Sequence, residues 1–535
     1  MKKYFFMALA TFTLAACENA NNDPNFDLNG ELEESYVAIT LKADDLGTRA
    51  PEGEYKFDDG TPAESAVNSA YVFFFYDDEP FAVSYDATTG TTTNAGQSNY
   101  LNVKDILIGD QENNENPNVT DVKAVLVLQN YQGRYPNKML AVLNWQPDPS
   151  KKMYTLNELR TKTALGDETN GFVMSNAVYA DNSKKVVEVA PLTIENIAKS
   201  RELALQHPVE IYVERVAAKV VFTADNNGQF YVGEEIDGKP VYAQIKGFEL
   251  YNDYEDSRLI KQIDANWTGI GFGWNDPDWS RSYWSISLGK AFPENTFAWK
   301  AGANHIGLNG YDYCGENTRA WSEANDYRTK VIVKAQLVTL DGTVATPVTI
   351  ASWYGKVYNG ELKLRTEVAN TLKSIYYSSP DNAAFTTILP EDLKCVARAA
   401  GDNNAYEVYF QLSTSGESKK WYKNDNGSYT EVAKANINEI LANIQPALVY
   451  NQGMTYYWTD IKHLGTPGSI TEYGVVRNHV YKVNINQIQG YGTPVYDPEI
   501  NFITPEKPTE VIDTYVAAEI KILSWRIVEH DYPLN

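Results

Sequence analysis

Along much of this chain apolar and polar residues alternate with a period of two, the pattern of strands that bury one face. The first such stretch is Tyr36-Val37-Ala38-Ile39-Thr40-Leu41, which puts Val37, Ile39 and Leu41 on one side. Residues 70–76 (Ala-Tyr-Val-Phe-Phe-Phe-Tyr) form a dense aromatic run, expected of a strand buried on both faces. Residues 123–129, 138–145, 186–194, 209–222, 243–251, 327–337, 479–488 and 515–528 read as further strands. Helical spacing is confined to short pieces. Residues 155–163 carry Thr155 and Glu158 in a capping-box arrangement, and 390–399 is a second candidate. In 433–444, Ile437, Ile440, Leu441 and Ile444 recur at i, i+3, i+4 and i+7, as core packing requires. Many short strands separated by turn residues predict a mainly β protein built of sandwiches rather than βαβ units.

A chain of 535 residues is long for one domain, and the polar turn Asp225-Asn226-Asn227-Gly228 marks a boundary between two. The beginning is different in kind. Lys2 and Lys3 precede an apolar run over residues 4–14, too short to span a bilayer, followed by Leu14-Ala15-Ala16-Cys17. This reads as a signal peptide whose end looks like a bacterial lipobox, which implies that Cys17 is acylated. Residues 18–34 are polar and acidic, a tether. After the strand at 36–41 comes a turn-forming run and then Arg49-Ala50-Pro51, an isolated arginine after a polar turn.

Charge and chemistry narrow the function. A net charge of −24 argues against nucleic acid or an anionic membrane as partner, so membrane contact is left to the precursor lipid. The five His residues are scattered without metal-ligand spacing, and no Walker loop, GxSxG elbow or HExxH is present. The reading is therefore of a protein that is not an enzyme, with no cofactor, no metal and no catalytic residues. Cys314 and Cys395 are expected as buried free thiols rather than as a disulfide framework. Residues 253–325 are polar and Trp-rich, with Trp267, Trp274, Trp279, Trp284, Trp299 and Trp321, as in elaborated loops.

Several segments together resemble one family, the type V pilins (Mfa-type and FimA-type fimbrial subunits). They are Val213-Glu214-Arg215-Val216-Ala217-Ala218-Lys219-Val220, Tyr473-Gly474-Val475-Val476-Arg477-Asn478-His479-Val480-Tyr481-Lys482-Val483, Gly490-Tyr491-Gly492-Thr493-Pro494-Val495 and Ile520-Lys521-Ile522-Leu523-Ser524-Trp525. With the lipobox and Arg49-Ala50 they run from end to end in the family's order, and Arg477–Tyr481 points to the Mfa-type major subunit. The resemblance implies two β-sandwich domains of transthyretin-like topology, cleavage between Arg49 and Ala50, and polymerisation by strand exchange. The implied layout is a signal peptide at 1–17, a propeptide with a temporary strand at 18–49, sandwiches at 50–224 and 225–513, and a donor segment at 514–535.

The residues fit that scheme. Removing Val37, Ile39 and Leu41 from a core would cost about 1.5–3 kcal/mol each and would expose a groove that templates a replacement strand. Ala518, Ile520 and Ile522 repeat the same spacing near the other end. The phase then shifts to Leu523, Trp525 and Ile527, the mark of a bulge or of two strand segments. The expected partners are identical subunits in a filament, the fimbrial anchor and tip subunits, and the maturation protease. The expected location is the outer membrane for the lipidated precursor and the cell-surface fimbrium for the mature subunit. The alternatives are an anchor or tip subunit of the same system, and a glycan-binding surface lipoprotein that uses the Trp-rich region 267–299.

Overall fold

A computed structural model describes residues 34–43, 57–58, 60–86, 91–103, 121–129, 134–180, 186–198, 201–263, 285–288, 299, 306–318, 328–373, 375–378, 384–398, 406–463, 467–468, 470–499 and 515–525. The first half contributes strand β1 (Glu34–Ala43), strand β2 (Phe57–Asp58), helix α1 (Pro62–Ser65), β3 (Ala70–Tyr76), β4 (Asp121–Gln129), β5 (Lys138–Leu143), helix α2 (Leu156–Arg160), β6 (Met174–Asn176) and β7 (Val209–Arg215). Of these, β3, β5, β6, β7, β1 and β4 lie side by side in that order in one sheet. One of its faces buries Val37, Ile39, Val72, Phe74, Ala141 and Ile211. The other buries Phe73, Phe75, Leu140 and Val142 against Tyr154 and Leu156. The aromatic run 70–76 is thus buried on both faces, as its composition requires. Strands β4 and β5, neighbours in sequence, do not pair: β6, β7 and β1 lie between them. Helix α2 starts where its capping box dictates, with the Glu158 amide donating to Thr155 Oγ1 at 3.1 Å and the Thr155 amide donating to Glu158 Oε2 at 2.9 Å.

The second half adds β8 (Ala217–Ala224), β9 (Gln229–Ile236), β10 (Lys239–Tyr251), β11 (Tyr311–Gly315), β12 (Lys330–Asp341), helix α3 (Glu361–Leu372), helix α4 (Lys434–Ala442), β13 (Met454–Asp460), β14 (His479–Gln489) and β15 (Tyr515–Trp525). Two sheets form a sandwich. One has the order β2-β15-β14-β8-β11, and the other runs β9-β10-β12-β13 to a short strand at Thr493–Pro494. Between them are packed Val220, Phe222, Tyr481, Val483 and Ile485 from the first, and Phe230, Val241, Ala243, Val331 and Val333 from the second. The mainly β class read from the sequence is borne out.

Three local expectations need correction. Residues 209–222 are two strands, not one, and the chain passes from the N-terminal to the C-terminal sheet at Val216 rather than at the Asp225 turn. There the Val216 amide donates to Val173 O at 2.9 Å, and its carbonyl accepts Ser257 Oγ at 2.6 Å. Of the helix expected over 390–399, residues 390–398 are not α-helical. A single 3₁₀ turn, Pro390–Asp392, is closed by the Asp392 carboxylate on the Leu389 amide at 3.1 Å, and Leu393–Ala397 continues as a strand beside Glu407–Leu412. Its alternation of buried Leu393 and Cys395 with exposed Lys394 has period two, and that outweighs helix propensity. Residues 186–194 form only the two-residue strands Val186–Val187 and Ala190–Pro191 before a 3₁₀ turn, because Pro191 cannot donate to a ladder.

Between β12 and β13 the chain builds a further layer that the sequence pattern had not separated. A five-stranded sheet carries α3 and α4, and Leu364, Val368, Leu372, Ile437, Leu441 and Phe410 share its core. On α4, Ile437 and Leu441 are fully buried while Ile440 is 40% exposed. Leu441→Ala is accordingly expected to cost about 2–5 kcal/mol in denaturant unfolding, and Ile440→Ala under about 1 kcal/mol.

Candidate functional site: the strand slot and the junction between sheets

Strand β1 is an internal strand. It runs parallel to β7, with Ile39 beside Val209 and Ala43 beside Val213. It runs antiparallel to β4, from Glu34 beside Gln129 to Lys42 beside Asp121. Val37 and Ile39 are 0% and 1% exposed within the core of this sheet. Leu41 sits in register with Ile211 and Val122. Because β4 joins this sheet through β1, removing β1 would leave two facing rows of unpaired backbone groups, on β7 and on β4, about 10 Å apart. A replacement strand must therefore match both edges, parallel to β7 and antiparallel to β4.

At the other end of the chain, β15 pairs antiparallel with β14, with Ile520 beside Val483, Ile522 beside Tyr481 and Leu523 beside Val480. The strand is unbroken through Ile522 and Leu523, so the phase shift read there is neither a bulge nor a change of place. The register shift lies further back, where Ala517 and Ala518 face Gln487 and Ile485. Ala518 and Trp525 also lie in this strand, with Trp525 beside Asp58 of β2. In the monomer the segment thus completes its own C-terminal sheet. Cys17, Arg49, Ala50 and Ile527 lie outside the described residues.

The segments that carried the family resemblance converge in space. Strands β8, β14 and β15 are adjacent, with β8 parallel to β14. At their common end a buried ionic network joins the two sheets. Lys219 Nζ donates to Glu64 Oε1 at 2.6 Å, with side chains 9% and 0% exposed. Tyr313 Oη donates to the same carboxylate. Arg215 Nε donates to Glu64 O at 2.7 Å and Arg215 Nη2 to Ser65 Oγ at 2.9 Å. Arg215 Nη1 reaches Asn478 Oδ1 at 3.4 Å. Arg477 donates through Nε and Nη2 to Glu316 Oε2 at 3.0 and 2.9 Å, and Lys261 pairs with Glu214. Burial pushes the Glu64 carboxyl up, but the hydrogen bonds from Lys219, Tyr313 and the Thr61 amide, with the Lys219 charge, hold it below the ordinary carboxylate value. Burial pulls the Lys261 ammonium down. Arg215, Lys219 and Arg477 had entered the sequence reading only as a family signature. The physical signal was available: three charges inside Val-Glu-Arg-Val-Ala-Ala-Lys-Val, an otherwise apolar double strand, must find buried partners.

Other candidates are structural. Cys314 and Cys395 are buried free thiols in separate cores, and burial pushes both up. Trp299 Nε1 donates to Ala335 O at 3.2 Å and Thr455 O at 3.0 Å, so this indole packs on β12 and β13 instead of offering a face to a sugar. The other tryptophans of the Trp-rich region lie outside the described residues. Among the described residues, no cluster of three or more His, Cys, Asp or Glu is placed to hold a metal ion.

Residues 448–531, which contain β13, β14 and β15, match the family model described as major fimbrial subunit protein type IV, fimbrillin, C-terminal. Over those residues the chain is similar to the C-terminal region of fimbrillins. The resemblance to type V pilins is thereby borne out. Among solved structures, the chain is similar to a fimbrilin (FimA) from Porphyromonas gingivalis W83, at 11% identity and a TM-score of 0.35, covering 92% of this chain and 98% of that one. It is also similar to the tip fimbrial protein Mfa3 from Porphyromonas gingivalis, at 12% identity and a TM-score of 0.29, covering 92% and 100%. No curated protein matches the chain. The matched segment is the part of the molecule in which β14 and β15 pair, so the match falls on the strand read as a donor.

Proposed function

We infer that this protein is the structural stalk subunit of a fimbrium, made as a lipoprotein acylated at Cys17, cut between Arg49 and Ala50, and polymerised when the C-terminal strand of one copy fills the slot of the next. The observation that carries this reading is the place of β1. A strand upstream of Arg49 is an internal member of the N-terminal sheet, with a ladder on each side. Cutting at Arg49 separates that strand from everything that follows it, together with the lipid. The slot then lacks a strand of defined polarity, and donor-strand complementation is an attested way of filling such a gap. A subunit that gives a strand at one end and receives one at the other makes a head-to-tail contact, which propagates as a filament unless its rotation closes a ring. The fimbrillin segment at 448–531 supports a surface appendage as the setting. A stalk role is favoured over an anchor, which would keep its lipid, and over a tip, which need not donate a strand.

Arg49→Ala is the direct test. The variant precursor is expected to fold like the parent and to remain monomeric after treatment with a trypsin-like protease, whereas the parent forms filaments. Equal polymerisation of the two would overturn cleavage at Arg49 as the trigger.

A further inference from the structure

We propose that β2 is a latch on the C-terminal strand, and that the cut at Arg49 loosens this latch as well as opening the slot. The inference rests on the assembly reading above and adds to it the control of the donor strand. In the C-terminal sheet β15 has two neighbours. Strand β14 runs along its whole length, and β2 lies parallel to its far end, with Phe57 beside Ser524 and Asp58 beside Trp525. A strand held on both edges is slower to leave its sheet than one held on a single edge.

The two residues of β2 are a short ladder, and what holds them in place lies on either side in sequence. Downstream, α1 is anchored at once. The Glu64 amide donates to Thr61 Oγ1 at 3.3 Å, and the Thr61 amide to Glu64 Oε2 at 2.6 Å. The Glu64 carboxylate is clamped by Lys219 and Tyr313, and Arg215 grips the Glu64 carbonyl and Ser65. Upstream, residues 44–56 join β2 to β1, which is fixed in the N-terminal sheet by both of its ladders. Arg49 falls within that connection. Before the cut, β2 is an edge strand of its sheet that lies in the interior of the chain and is tethered at both ends. After the cut it is the first paired element of a chain that begins at Ala50, tethered at α1 alone. Chain ends fray where internal segments do not, and losing one tether lowers the effective concentration of β2 at the edge of β15.

One cleavage thus acts at both ends of the exchange. It vacates the slot between β7 and β4, and it weakens the outer neighbour of the strand that is to fill the slot in another copy. A precursor with its own slot filled also keeps its donor strand covered, so premature assembly is blocked twice.

The test is hydrogen–deuterium exchange at residues 515–525 of the monomer, in a full-length Cys17→Ser background that removes the lipid. Four proteins are compared: uncut, cut after Arg49, uncut Phe57→Pro, and the oxidised double variant Phe57→Cys/Ser524→Cys after cutting. The expected result is exchange about tenfold faster in the cut chain and in Phe57→Pro than in the uncut chain, with β8 unchanged and with the disulfide-locked cut chain as slow as the uncut one. Equal exchange at 515–525 in all four would overturn the latch. Electron microscopy of the same samples scores assembly separately. Filaments with unchanged exchange would remove the latch and keep the assembly reading, whereas faster exchange without filaments would keep the latch and remove the assembly reading.

Discussion

An Ile39→Asp precursor is expected to lose at least about 3 kcal/mol of stability, while the product it yields on cutting after Arg49 assembles like the parent. Ile39 is 1% exposed in the core of the N-terminal sheet. Replacing it removes the burial of a whole aliphatic side chain, worth about 1.5–3 kcal/mol, and sets a carboxylate among the apolar side chains of that core. The same reasoning holds for Val37, at 0% exposure. What makes the prediction unusual is its second half. A substitution in the core of a domain ordinarily damages every form of the protein, but β1 lies upstream of Arg49 and so leaves with the propeptide. Urea denaturation of the uncut chain, paired with the assembly rate of the cut chain, reads the two halves independently. Equal damage to both would mean that β1 stays in the mature subunit.

Lys219→Met is expected to cost about 3–5 kcal/mol at neutral pH, because it strips the cation from a carboxylate that is 0% exposed. Lys219 is on β8 of the C-terminal sheet, whereas Glu64 is on α1, so the loss is felt where the two halves of the chain meet. Adding Glu64→Gln is expected to restore much of the loss, since no charge is then left buried without a counter-ion. The pH dependence has a definite sign. The folded Glu64 carboxyl lies below its ordinary value of 4.5. Its contribution is therefore complete above that pH and is lost as pH falls through the lower, folded value. In Lys219→Met that contribution is missing from the start, and protonating the isolated carboxyl relieves the variant. The stability gap between parent and variant should thus be widest at pH 7 and should narrow below about pH 4. A gap that is flat from pH 7 to pH 3 in urea denaturation would contradict the pairing.

Alternation along Val37, Ile39 and Leu41 was enough to identify a strand with one buried face, and Val37 and Ile39 are indeed in the core. Nothing in that pattern reveals that the strand is internal. Its parallel partner β7 lies far downstream, and a period-two pattern gives a face but no neighbour. The same limit applies to β15. A strand that completes its own sheet and a strand destined for another copy's slot need the same alternation, and in the monomer β15 pairs with β14. The break at Val216 was hidden because both flanking strands are apolar and of similar composition, so the change of sheet leaves no gap in the pattern. Helix α3 is not among the helices expected from the sequence, although its signal is present. Leu364, Val368 and Leu372 stand at i, i+4 and i+8 just after Gly360, and all three are buried. The junction network leaves a signal of its own in the sequence. Charged residues inside an apolar run are costly alone, so Glu214, Arg215 and Lys219 signal partners elsewhere in the chain, here Lys261, Ser65 and Glu64.

Under the proposed function, one cut after Arg49 turns a stable monomer into a filament-forming subunit. The most direct measurement is negative-stain electron microscopy of the purified precursor before and after limited trypsin-like cleavage, with N-terminal sequencing of the subunits recovered from any filaments. No filaments are expected before the cut, and abundant filaments after it, built of subunits that begin at Ala50. Filaments whose subunits still carry β1, or a cleanly cut chain that stays monomeric, would contradict it.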